Sequence, residues 1–133
     1  MIQPFLVFND WGLLLVRVVL GVVLIVHGLP KLRDLKGTGS WMAKQGFRPG
    51  GFWAFIVGVL ETVGGGMIVV GILTQVVAAL VAIQFIVIFL TVKRKATFDD
   101  KEKDLFILAS ALLLITMAGG DLSLDNYWGI LLY

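Results

Sequence analysis

Four polar side chains draw attention because apolar runs enclose them: Arg17, His27, Glu61 and Gln84. Arginine and glutamine can donate hydrogen bonds to a carbonyl, and a glutamate can accept or deliver a proton. A site built from Arg17, Glu61 and Gln84 would therefore suit a quinone carbonyl, another polar headgroup or proton handling inside a bilayer. An ionisable residue in such a run is costly, so it normally faces the interior of a helix bundle with a partner. Helical steps of three and four put Ala54, Gly58, Glu61 and Gly65 on one face, small residues around one acid. The same steps put Arg17, Gly21, Leu24 and Gly28 on one face of an earlier run. At 1.5 Å per residue, Arg17 lies roughly 9 Å and Glu61 roughly 16 Å from the same membrane boundary, with Gln84 about level with Glu61. The long arginine side chain is expected to span that offset. Such a contact reads in two ways, as a ligand or proton site or as an ion pair that fixes helix register. His27 lies near a helix end, off the Arg17 face, and is a secondary candidate.

The elements that position these residues are four apolar runs, at about 11–29, 54–72, 74–92 and 105–119. A hydrocarbon core of about 30 Å needs about 20 apolar residues in a helix, so each run is expected to span a bilayer, the fourth being the shortest. Pro30 is expected to end the first helix. Asn9 or Asp10 is expected to cap its start, and Ser40 a short helical turn in the following loop. Ala78 and Ala82 form a small-residue pair suited to close helix packing. Tyr127, Trp128 and Tyr133 fall where an interfacial aromatic belt would lie.

Of the 133 residues, 59% are hydrophobic and 15% charged, a membrane-protein composition compared with soluble domains. The expected fold class is all-α: one integral membrane four-helix bundle covering 1–133. Cysteine is absent, which excludes disulfides, thiolate-held clusters, thioether-linked haem and a cysteine nucleophile. With one histidine, a His/Cys-rich zinc site within one chain is implausible, and no metal is expected. Ten of the eleven basic residues lie in two loops, 30–53 and 93–104. The positive-inside rule then makes both loops cytoplasmic and both termini external, in a multi-pass protein of the inner (plasma) membrane. The first ten residues carry no basic segment, so the N-terminus reads as retained rather than as a cleaved signal. The basic loops flank apolar spans, so they do not read as a nucleic-acid surface.

The order Arg17-xxx-Gly21, His27-Gly28-Leu29-x-Lys31-Leu32, Gly58-xx-Glu61-xx-Gly64-Gly65, Gly71-Ile72-Leu73-Thr74 and Leu122-Ser123-Leu124-Asp125 resembles the DoxX family of small four-helix membrane proteins. The resemblance runs over nearly the whole chain, and Arg17, His27 and Glu61 match positions typical of the family. It implies a membrane redox subunit. The family takes its name from a subunit of an archaeal thiosulfate:quinone oxidoreductase, and other members are linked to membrane oxidoreductase complexes. Combined with the polar cluster, it makes the leading expectation a non-catalytic or accessory subunit of a membrane oxidoreductase that contacts quinone, with no covalently bound cofactor. The partners expected are the lipid bilayer and either further copies of the chain or a redox enzyme subunit. Two other classes stand beside it: a small-molecule carrier working as a homo-oligomer, and a scaffold whose basic loops dock a soluble enzyme.

Overall fold

The computed structural model describes residues 6–129. A 3-10 turn, Leu6–Phe8, leads into six helices: α1 Asn9–Arg33, α2 Leu35–Lys44, α3 Gly50–Val70, α4 Thr74–Leu90, α5 Phe98–Met117 and α6 Leu124–Trp128. No strand occurs among the described residues. Two helices, α1 and α3, are long and apolar enough to cross a membrane. The α4 helix is apolar but shorter, at 17 residues, and α5 opens with Asp99, Asp100 and four further charges through Asp104.

The small faces read from the sequence are buried. On α1 they are Arg17, Gly21, Leu24 and Gly28; on α3 they are Ala54, Gly58, Glu61 and Gly65. These faces meet. A Cβ at Gly65 would lie 2.7 Å from the Gly21 carbonyl, and one at Gly28 would lie 2.8 Å from the Glu61 Cβ. The two helices thus run antiparallel with Gly21 against Gly65 and Gly28 against Glu61, at a separation only small residues permit. Leu20, Leu24, Ile68, Val77, Val81, Phe85, Ile107 and Leu114 fill the core between α1, α3, α4 and α5. Ala78 and Ala82 are buried with them. Large apolar side chains also cover the outside of all four helices, among them Val22, Phe55, Ile83 and Phe106. Such a surface matches hydrocarbon, because a water-soluble bundle does not expose contiguous apolar surface on this scale.

Several boundaries differ from the sequence reading, and α5 begins at Phe98, inside the expected 93–104 loop. Helix α1 continues through Pro30 to Arg33. Proline lacks the N–H that would bond the carbonyl of Val26, and its ring crowds that carbonyl, yet the helix recovers with Asp34 N donating to Pro30 O. Neither Asn9 nor Asp10 caps α1; the Asp10 carboxylate instead accepts from the backbone of Asp121. The 30–53 loop holds a full helix, α2, capped by Asp34 through Gly37 N, while Ser40 bonds back to the Lys36 carbonyl from inside that helix. In the tail, Tyr127 and Trp128 are exposed on α6. Tyr133 lies outside the described residues.

Candidate functional site

The antiparallel register decides which polar groups meet. Gly28, not Arg17, lies opposite Glu61. Three helical turns separate those two α1 positions, roughly 16 Å along the axis. That exceeds the reach of an arginine side chain, so the expected Arg17–Glu61 contact does not form. The polar residues fall into two separate groups instead.

Arg17 occupies one end of the bundle and is 1% exposed. Its Nε donates to Ile68 O (3.1 Å) and one Nη to Val69 O (2.9 Å). The other Nη donates to Gly119 O (2.7 Å) and Leu122 O (2.9 Å). Ile68 and Val69 are in the last turn of α3, where helix carbonyls lack intrahelical partners and the helix dipole favours a cation. Arg17 is thus a C-terminal cap supplied from another helix, and it ties α3 to the α5–α6 loop. The chain turns sharply after α3: Gly71 is left-handed at φ 78°, and a Cβ there would sit 3.0 Å from the guanidinium. Asp125 performs the complementary task on α4. Its carboxylate accepts from Leu73 N (2.6 Å) and Thr74 N (2.7 Å), satisfying donors at a helix N-terminus where a negative charge is favoured. Asp125 N in turn donates to Gly71 O (2.8 Å). An arginine at a helix C-terminus and an aspartate at the next N-terminus therefore lock the tight α3–α4 connection. Replacing Asp125 with alanine orphans two donors and should lower stability by about 1–2 kcal/mol. Thermal unfolding in detergent reads the loss, and Asp125→Asn, which keeps one acceptor oxygen, should lose less.

The second group surrounds Glu61, 1% exposed. Lys31, from the turn of α1 beyond Pro30, forms an ion pair with Glu61 Oε2. From α4, Gln84 Nε2 donates to Glu61 Oε1 at 2.6 Å. The Lys31 side chain is 29% exposed, so the buried carboxylate is connected through one residue to the surface. Gln84 Oε1 is buried with no hydrogen-bond partner among the described residues. An unpaired buried acceptor costs free energy, so Gln84 Oε1 is the unsatisfied atom of this cluster. Glu61 and Gln84 are thus together as the sequence suggested, with Lys31 in the position expected of Arg17. His27 stands apart: its Nδ1 bonds Val23 O (2.6 Å), and Lys103 Nζ donates to its Nε2 (3.0 Å).

Sequence reasoning missed the roles of Lys31 and Asp125. Lys31 follows Gly28 by three residues and so continues the Arg17–Gly21–Leu24–Gly28 face, but the expected stop at Pro30 placed it in a loop. Asp125 lies far in sequence from the helix it caps, and no local pattern links them.

Comparison with known proteins places the chain in a family. The DoxX family model matches residues 12–94, which include most of α1, the Glu61 helix and Gln84. The chain belongs to the DoxX family. It is 32% identical over 117 residues, 87% of this chain and 86% of the relative, to a protein of Bacillus subtilis (strain 168) named "Putative oxidoreductase CatD". No solved structure matches the chain significantly. Family membership and the apolar helices together make this DoxX protein a membrane protein.

Proposed function

We propose that this DoxX protein is an accessory subunit of a membrane oxidoreductase and contacts quinone through Lys31, Glu61 and Gln84. The observation that carries the reading is the buried Glu61 carboxylate, held by a partly exposed lysine and by a glutamine whose carbonyl oxygen has no partner among the described residues. The oxidoreductase name of the Bacillus relative supports the redox class. All four long helices cross the bilayer in this reading, and the basic loops face the cytoplasm.

The residues fit a quinone headgroup in both its forms. A bound quinone supplies a two-electron, two-proton couple. Lys31 would be the donor for a carbonyl oxygen, and Gln84 Oε1 would be the acceptor for a hydroxyl. Glu61 lies between them and would hold or pass a proton, and the partly exposed Lys31 ammonium beside it would offset the carboxylate charge when that proton leaves. A lone intramembrane carboxylate would be costly; the Lys31 pair keeps Glu61 in place until a ligand competes for its partners. Arg17 has no part in this step, because carbonyl oxygens at the far end of the helices occupy its guanidinium.

The test is photo-crosslinking with an azido-quinone in native membranes, followed by peptide mapping. Label is expected on α3 and α4 peptides flanking Glu61 and Gln84, and excess unlabelled quinone should prevent it. Label confined to the Arg17 end, or labelling that quinone does not compete, would overturn the assignment.

A further inference from the structure

A second feature lies on the opposite side of α1 from Glu61. Helices α1 and α5 make far less contact than α1 and α3, and an open trough of about 580 Å³ runs between them. That volume is within the roughly 300–1,000 Å³ of small-molecule sites. Leu15, Val19 and Val23 line it from α1, and Phe106 and Ile107 from α5, with Lys103 at one end. His27 is one turn beyond Val23 and is bonded to Lys103. From Leu15 to His27 the trough and its cationic end cover roughly 18 Å of helix, close to the depth of one leaflet of a core about 30 Å thick.

The chemistry of the Lys103 end is specific. His27 Nδ1 is committed to Val23 O, which leaves Nε2 to accept from Lys103. An ammonium group has three N–H donors, so two remain for another acceptor. Lys103 has no carboxylate within ion-pair distance among the described residues. Glu102 also lines this end but is not paired with it. His27 therefore acts as a positioning residue that holds an ammonium without an ion pair among the described residues at the mouth of an apolar trough.

We infer that the α1–α5 trough is a binding site for an anionic phospholipid, with the acyl chain along Val19 and Phe106 and the phosphate on Lys103. This site is separate from the Lys31–Glu61–Gln84 cluster and does not depend on its role. The test is native mass spectrometry of the purified protein in mild detergent, with phosphatidylglycerol or phosphatidylcholine of identical chains added. Wild type should retain phosphatidylglycerol about fivefold more than phosphatidylcholine, the preference one membrane-surface lysine supplies. Lys103→Gln should abolish the preference and Lys103→Arg should keep it. Val19→Trp, at an exposed position, should fill the trough and reduce retention of both lipids. Equal retention of the two lipids by wild type would overturn the site, as would an unchanged preference in Lys103→Gln. A stable dimer that Val19→Trp dissociates would also overturn it and assign the trough to a second copy of the chain.

Discussion

Arg17→Ala is expected to lower stability by about 4 kcal/mol, from four hydrogen bonds to carbonyls at about 1 kcal/mol each. The partners are Ile68, Val69, Gly119 and Leu122. Two are at the end of α3, where losing the cation also removes a favourable interaction with the helix dipole. The effect should appear as a large fall in the detergent unfolding temperature and in the yield of folded protein. Arg17→Lys restores the charge but has three donors and no planar fork, so it should recover about half the loss. Quinone-dependent turnover per folded molecule should stay near wild type in Arg17→Lys. A stable Arg17→Ala protein that is inactive would instead make Arg17 a ligand-binding residue.

Glu61→Gln is expected to do the reverse: keep the fold and remove activity. The substituted amide still meets Gln84, and the partly exposed Lys31 can turn toward the surface, so the stability cost should be about 1–2 kcal/mol. Loss of a positioned proton carrier should lower quinone-dependent turnover of the assembled complex by roughly 10²–10⁴. Lys31→Met supplies the contrast. It leaves an uncompensated carboxylate buried in the bundle, and breaking a buried pair in that way costs about 3–5 kcal/mol. The order of stability should therefore be wild type, then Glu61→Gln, then Lys31→Met. Turnover in Glu61→Gln equal to wild type, in properly folded protein, would reduce the pair to a structural one.

Much of the fold was legible because membrane helices advertise themselves. The runs around Arg17 and Glu61 gave the helices, and steps of three and four gave the faces that are buried in the structure. The axial register between α1 and α3 was not legible. Aligning the helices by their apolar ends put Arg17 near Glu61, whereas close packing of Gly21 on Gly65 and Gly28 on Glu61 slides α1 by more than a turn. Backbone shape at the small residues sets that register, and hydropathy does not report it. Helix boundaries failed at Pro30 for a related reason: a proline removes one donor but does not forbid another turn when the flanking bonds form. Lys31 was hidden by that boundary. The long-range caps at Arg17 and Asp125 depend on the tertiary path and have no local signature.

Glu61 is the residue on which the proposed quinone site depends. The most direct measurement is the quinone content of protein purified in mild detergent, by mass spectrometry of the lipid extract, for wild type, Glu61→Gln and Arg17→Lys. Quinone is expected on wild type and on folded Arg17→Lys, and none on Glu61→Gln. Equal quinone on wild type and Glu61→Gln, or its loss from folded Arg17→Lys alone, would contradict the proposed site.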